Sequence, residues 1–429
     1  MDIDMIKSLP GPDNIFRKVL PNGAVILVRE NPYSQTAAVS GSMPCGAYLD
    51  PADKTGLTEF IAGCLTAGTE SHDFRRINEL LEGSGASLSV HSGPRALSFG
   101  GTCLAEDLVM LLELMKEVMD EPAFPQEHIE IFRQRALSAY ELHLHDPESM
   151  TDERLDALLF GDHPYGRKDF GSADVIRNME RQDLSSFHSR YFGPKGLILS
   201  IAGGVNAGEI LDACEKIFGT WDKKQEAVDT ASYFPEITAP EKALCEHVEI
   251  PDKSEMSLVI GTVGPARKDP DYTAATLGNS ILGEFGMMGR IGKIVREENG
   301  LAYYASSSLH SLTYGGCWAV DAGVNPANAE KAAELIFSEL RRFTSQKVTE
   351  EELEDVRSWY LGSLPLSLES NTGVASLLMT IETHQLGLDH LIRMPDRVGA
   401  VTAESILETA KRWLDPDRMV RVTAGTSVK

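Results

Sequence analysis

The second half of this chain repeats the first half, and this repeat limits the possible folds more than any other feature. Residues 182–203 align without gaps with residues 404–425, at an offset of 222 residues. In both segments a helical pattern ends in an aromatic residue, and a proline separates it from an apolar strand. A second helix start matches at an offset of 224 and places Arg133 on Arg357. Two matches at nearly one offset predict a duplicated domain.

The duplication sets the predicted domain limits. We expect an N-terminal repeat at residues 1–225, a linker at residues 226–240 and a C-terminal repeat at residues 241–429. A length of 429 residues suits two or more domains rather than a single small module. The segment around the linker is polar, contains Pro235 and Pro240, and has no apolar periodicity.

Strand patterns come first within each half, and helix patterns follow. The strand at 87–92 and the strand at 97–103 are joined by the short Gly93-Pro94 turn, which favours antiparallel pairing. The sequence therefore predicts an α+β fold of two homologous domains, each an antiparallel sheet with helices packed on one face. The other first-half elements predicted from periodicity are strands at 24–29 and 36–42 and helices at 56–67 and 107–119.

Charge narrows the classes of partner. Lys and Arg total 40 against 64 Asp and Glu, so the formal charge is −24. Such a surface repels nucleic acid and anionic lipid, and it suits basic or unfolded peptides. No apolar stretch approaches the roughly 20 residues of a membrane span, and the N-terminus does not read as a signal peptide. The six cysteines are scattered singly. We therefore expect no membrane contact and a cytoplasmic location, with a periplasmic one as the alternative if a signal peptide has been removed.

One first-half helix carries a family resemblance. Residues 56–65 follow a strand on a helical period and resemble the H-x-x-E-H helix of the insulinase/pitrilysin peptidases, which are inverted zincins. In an active member the two histidines bind zinc and the glutamate polarises water. Those positions hold Glu59, Ala62 and Gly63 here, and only Glu141 falls near the place of the third ligand. The resemblance implies that this chain holds no metal and has no catalytic residue of its own.

The second half continues the resemblance. Residues 283–290, with Gly283, Gly286 and Gly289, look like the family's glycine-rich loop. Residues 294–303 then look like its arginine–tyrosine signature, which Arg296 and Tyr303 represent here. The resemblance implies that these two side chains bind the substrate backbone near the scissile carbonyl and stabilise charge in the transition state.

The residue pattern alone predicts that the pair lies at a sharp turn. Helical character over 291–298 ends at Asn299-Gly300, where glycine accepts the left-handed conformation, and a strand runs from 301 to 308. This reversal is expected to bring the guanidinium of Arg296 and the phenol of Tyr303 together. The structural alternative is an arginine favoured by the helix dipole and a tyrosine half-buried in a sheet.

Three functions follow for comparison. The resemblance implies a non-catalytic, substrate-binding subunit that completes the active site of a heteromeric zinc peptidase acting on peptides or unfolded polypeptides. Its partner would be a homologous subunit that bears H-x-x-E-H and holds the zinc, and a homodimer is possible when the chain is alone. The second function is a non-proteolytic structural or peptide-binding scaffold. The third is an independent zinc enzyme with displaced ligands Glu59, Glu141 and His143, although 143–146 read better as a solvated helix end.

Overall fold

The computed structural model describes residues 9–167 and 171–427. Contacts divide the chain into two compact units, and neither is continuous in sequence. The first unit contains Met1–Tyr140, Lys168–Tyr233 and Leu364–Ile392. The second unit contains Glu141–Arg167, Phe234–Ser363 and Arg393–Lys429. Each unit therefore includes a segment from the opposite half of the chain, which the predicted domain limits do not contain.

The first unit is built on a six-stranded sheet in the order β1-β2-β6-β3-β5-β4. Strands β2 and β6 are parallel, and the other neighbours are antiparallel. The predicted pairing across the Gly93-Pro94 turn is confirmed by β4 and β5. The strands are β1 (Phe16–Val19), β2 (Val25–Glu30), β3 (Thr36–Met43), β4 (Ser89–His91), β5 (Leu97–Leu104) and β6 (Ile198–Gly203).

The second unit repeats this arrangement with five strands in the order β7-β11-β8-β10-β9. Strands β7 and β11 are parallel and the rest are antiparallel, so the two sheets share one connection pattern apart from β1. The predicted two-domain α+β fold is confirmed, with one parallel pair in each sheet as an added detail. The strands are β7 (Leu244–Glu249), β8 (Met256–Gly264), β9 (Ala302–Ser311), β10 (Gly316–Val324) and β11 (Val420–Gly425).

Helices surround both sheets, and none among the described residues has the length and apolarity needed to cross a bilayer. The helices are α1 (Leu57–Cys64), α2 (Phe74–Gly83), α3 (Leu108–Asp120), α4 (Gln126–Leu144), α5 (Pro147–Phe160), α6 (Ala173–Arg177), α7 (Arg181–Tyr191), α8 (Ala207–Phe218), α9 (Tyr272–Asn279), α10 (Arg290–Gly292), α11 (Ala329–Phe343), α12 (Glu350–Ser367), α13 (Asn371–Thr383), α14 (Met394–Ala400) and α15 (Ala403–Trp413).

Helix α13 belongs to the C-terminal half of the chain but packs on the sheet of the first unit. Its Leu378 buries Leu27 of β2, and its Ala375 lies against Ala38 and Ala202. Because residues of one strand alternate between faces, this helix covers one face of the sheet. The helices of the N-terminal half, such as α3 and α8, contact β5 and β2 respectively.

Helix α5 makes the reciprocal arrangement in the second unit. The Thr151 and Ser257 hydroxyl oxygens lie 2.9 Å apart, and the Leu155 side chain packs so closely on Gly261 of β8 that an added methyl group would lie 2.9 Å from it. The opposite face of this sheet carries Trp318 and Val320 and packs on helices α9, α11, α12 and α15. Both faces of each sheet are therefore covered, whereas the sequence predicted helices on one face.

The repeated arginines have the same structural role. The buried Arg133 guanidinium on α4 donates to the carbonyl of Met179, at 2.7 Å, just before α7. Arg357 on α12 donates in the same way to the carbonyl of Val401, just before α15. Each arginine thus links a long helix of its repeat to the loop just before α7 or α15. This shared contact confirms the alignment made from sequence.

Candidate functional site

The turn that carries Arg296 and Tyr303 is closed by backbone bonds. Gly300 N–H donates to the Arg296 carbonyl at 3.0 Å, and Leu301 N–H donates to the Val295 carbonyl at 3.0 Å. Gly300 has a φ of +61°, the left-handed conformation that the sequence predicted for this helix stop. The preceding segment differs from the prediction, because α10 ends at Gly292 and Lys293–Glu297 is a π-helix. Such wider turns recur at functional sites.

Tyr303 lies in an irregularity of the strand. Tyr304 pairs with Gly323 and Ala302 pairs with Val324, so Tyr303 is the extra residue of a β-bulge in β9. Its side chain is 64% exposed, and Arg296 is also exposed. Within residues 9–167 and 171–427, neither side chain has a hydrogen bond or an ion pair. The two groups therefore keep all their donors available, although no hydrogen bond links them to each other.

The glycine-rich loop lies between two π-helical segments. The first is Ser280–Glu284, and a 3-10 turn at Gly286–Met288 follows. A side chain at Gly289 would collide with the backbone of Gly283, and a side chain at Gly283 would collide with the backbone of Ser307 on β9. These two glycines let the loop close on itself and lie directly on the strand that carries Tyr303.

Arg290 fixes the end of this loop. Its Nε and Nη2 donate to the two carboxylate oxygens of Glu352, each at 2.7 Å. Burial pushes the pKa of Glu352 up, but the bonds from Arg290 and from Thr349 outweigh it and hold that pKa at about 2. The methionines at the loop's apex point outward, and Met288 is 90% exposed. The sequence pattern places Arg290 and Met288 in this loop but gives neither of them a role.

The first-half helix that resembles the zinc-binding helix of the family is α1. The buried carboxylate of Asp50 accepts from the backbone N–H groups of Gly56 and Thr58, at 2.8 and 3.1 Å, and so holds the start of this helix. Glu59 is half-buried and Ala62 is buried.

The place of the second zinc ligand is filled by an aromatic ring. A side chain at Gly63 would overlap the ring of Phe132 on α4. That ring also packs edge-on against Phe60, with 4.9 Å between centroids. Ala62 and Gly63 supply no donor atom, and Phe132 takes the space of an imidazole, so these residues do not fit a zinc ion.

The histidines at the end of α4 serve a different contact. His143 Nε2 lies 2.7 Å from a carboxylate oxygen of Glu153 on α5. Glu141 is exposed. In the described part of the chain, no group of three or more His, Cys, Asp or Glu side chains is arranged to hold a metal ion. The displaced ligand set Glu59, Glu141 and His143 therefore has no support in the geometry.

Comparison with known sequences extends these observations. Residues 25–171 match the sequence model of "Insulinase (Peptidase family M16)", and residues 178–358 match that of the "Peptidase M16 inactive domain". The chain belongs to the insulinase peptidase family, M16.

Relatives of this M16 chain match most of its length. It is 24% identical to an uncharacterized zinc protease of Mycobacterium leprae, over 94% of this chain and 89% of the relative. It is 22% identical to an uncharacterized zinc protease of Bacillus subtilis, over 84% and 86% of the two chains.

Solved structures support the same fold. A peptidase M16 inactive domain from Pseudomonas fluorescens superposes with a TM-score of 0.90 at 23% identity, covering 97% of this M16 chain and 98% of that one. A protease from Helicobacter pylori superposes with a TM-score of 0.89 at 20% identity, covering 97% and 100%. The M16 chain therefore has a peptidase-like fold of the inactive-domain type.

Proposed function

We propose that this chain is the non-catalytic, substrate-binding subunit of a heteromeric zinc peptidase, and that it completes the active site of a homologous subunit bearing H-x-x-E-H. The observation that carries the proposal is the exposed, unbonded state of Arg296 and Tyr303 beside the glycine-rich loop. Because no polar contact within the described fold uses these two side chains, both can donate to a bound peptide. The filled ligand position at Gly63 supports a zinc ion held by the partner instead.

The chemistry assigned to the pair is donation to the substrate. The Arg296 guanidinium and the Tyr303 hydroxyl can donate hydrogen bonds to a peptide carbonyl, and such donors stabilise the negative charge that develops on its oxygen. The bulge at Tyr303 turns this side chain out of the strand. The formal charge of −24 favours basic peptides or basic unfolded polypeptides as substrates.

The test is reconstitution with an H-x-x-E-H homologue from the same genome. The two purified proteins are mixed with a basic, unstructured fluorogenic peptide, and kcat/KM is measured for each protein alone and for the mixture. We expect cleavage to rise strongly in the mixture. Replacing Arg296 by Ala should lower kcat/KM of the mixture by about 10²-fold, as loss of one oxyanion donor does. Tyr303→Phe should lower it in the same direction.

Lys293→Ala is the matched control, because Lys293 is an exposed cation on the same π-helical segment. We expect this variant to keep nearly the full rate. An Arg296→Ala mixture as active as the unmodified one would leave the scaffold role as the better explanation. Failure of the two proteins to form a complex would contradict the proposal that this chain acts with such a partner subunit.

A further inference from the structure

A second candidate site lies in the first unit, away from the residues of the proposed function. It is a cavity of about 380 Å³, a size typical of small-ligand pockets. The walls are mostly apolar and include Leu9, Pro32, Pro365 and Leu368, with Tyr33 at the rim. Tyr33 is 97% exposed, so the cavity opens to solvent on this side. Among the described residues that line the cavity, Arg29 is the one cationic side chain.

Arg29 is a cation with few partners. Its Nη1 donates to the Glu30 carbonyl at 2.9 Å, and in the described part of the chain its other N–H groups have no acceptor. Burial lowers the pKa of Arg29, and the nearby Glu30 carboxylate only partly opposes this. A half-buried guanidinium with free N–H groups can donate hydrogen bonds to a bound anion.

Three other polar side chains of the cavity, those of Glu30, Asn31 and Asn371, are already engaged. A carboxylate oxygen of Glu30 accepts from the backbone N–H of Ala207 at 2.7 Å, which caps α8. The amides of Asn31 and Asn371 bond to each other at 3.0 Å, and Asn371 also donates to the Ser34 hydroxyl at 2.9 Å. Among the described side chains of the cavity, Arg29 is therefore the charged one whose donors remain available to a ligand.

We propose that this cavity binds a carboxylate attached to an apolar group, such as an N-acylated apolar amino acid or the C-terminal residue of a peptide. The planar guanidinium matches a carboxylate with two parallel hydrogen bonds. The apolar walls then bury the rest of the ligand, which distinguishes it from inorganic anions. The site shares no residue with Arg296, Tyr303 or the glycine-rich loop, so it stands or falls independently of the proposed function.

Titration calorimetry of the full-length protein tests this proposal. The probes are N-acetyl-phenylalanine and its amide, a hexapeptide ending in phenylalanine as acid and as amide, and inorganic phosphate. We expect at least one acid to bind at least about 10-fold more tightly than its amide and than phosphate. Only the acid combines an apolar group with a carboxylate that can accept two parallel hydrogen bonds from the guanidinium. Stronger binding of the peptide acid identifies the C-terminal residue of a peptide as the ligand, and stronger binding of the N-acetyl acid identifies a small metabolite.

Arg29→Gln should weaken acid binding at least about 10-fold without affecting the amide. Arg75→Gln is the control, because this arginine is 86% exposed in the same unit. Leu368→Glu is a second blocking variant, since its carboxylate would form an ion pair with the Arg29 guanidinium in place of the ligand. It keeps the test valid if Arg29→Gln unfolds. The proposal would be overturned by equal binding of acid and amide, or by undiminished acid binding in both blocking variants. It would also be overturned if no acid bound at about 10 mM, a concentration above the range of even weak specific binding.

Discussion

Asp321 is the side chain through which pH is expected to act on the second unit. It lies on β10 and is half-buried, and Ser308 is its hydrogen-bond donor at 3.4 Å. Burial, together with the like charges of Asp152 and Glu148 on α5, raises the pKa of Asp321 to about 7, although the hydrogen bond from Ser308 acts in the opposite direction. The folded protein therefore takes up a proton here at a pH where an unfolded aspartate is ionised.

The sign of the pH effect follows from this raised pKa. Between the usual aspartate pKa near 4 and about 7, the folded state binds more protons, so stability is lost as pH rises through this range. Asp321→Asn cannot ionise and should gain roughly 1–3 kcal/mol at pH 8 while changing little at pH 4. Urea unfolding at both pH values measures this. Asp174→Asn, at a site 84% exposed, should shift neither midpoint, and an equal gain at pH 4 and pH 8 would refute the assignment.

A substitution at Gly63 tests whether the Phe132 ring packs against helix α1 at this position. Gly63→Ala should cost roughly 1–3 kcal/mol, because its methyl group would overlap the Phe132 ring. In a Phe132→Ala background the same change should cost much less, and a double-mutant cycle by urea unfolding gives the coupling. Gly83 is the control, since nothing lies within 4 Å of a side chain placed there and Gly83→Ala in α2 should be neutral or stabilising. Additive costs for Gly63 and Phe132 would contradict this packing.

Helix α5 should be an integral part of the second unit. Leu155 is 3% exposed and lies on Gly261, so Leu155→Ala should destabilise by about 2–4 kcal/mol. Hydrogen exchange should rise first in peptides from 234–363, which belong to the same unit, and much less in peptides from 9–140. Leu142→Ala, at a position 73% exposed, should leave the exchange pattern unchanged. Faster exchange confined to 9–140 would show that α5 belongs with the other unit.

Sequence patterns predicted the elements better than their long-range partners. Local signals such as the Gly93-Pro94 turn and the Asn299-Gly300 stop placed the flanking element ends within about two residues, because short-range sterics decide them. The π-helix at Lys293–Glu297 carries no local signal that distinguishes it from an α-helix. The parallel partner of β2 and the sheet that α13 covers depend on contacts between residues far apart in sequence, which periodicity does not encode.

The candidate site shows the same division. The spacing of Arg296 and Tyr303 across a glycine stop was readable, since both flank one turn. The role of Phe132 could not be predicted from the sequence, because an aromatic residue nine positions before Glu141 on a helix looks like an ordinary core residue. The Arg29 cavity was equally invisible, because its walls come from segments more than 300 residues apart.

The whole molecule should not divide into two independent halves. A fragment of residues 1–233 lacks α13, which buries Leu27 and Ala38 of its sheet, and a fragment of residues 234–429 lacks α5. Each half expressed alone should aggregate or lack a cooperative melt, because an apolar sheet face is uncovered. Co-expression should restore a 1:1 complex with native circular dichroism and melting, as judged by gel filtration and a thermal scan. Monomeric, cooperatively melting halves would contradict the exchange of helices.

The exchanged helices also bear on how such a protein could arise. Helices α5 and α13 begin 224 residues apart, at equivalent places in the two repeats, and each covers the sheet of the other repeat. A one-copy ancestor with this connectivity could not close its own sheet, so it would have needed a twin to donate the missing helix. Fusion of two such genes would have joined the two copies of a domain-swapped dimer in one polypeptide. The exchange of helices would then no longer depend on protein concentration.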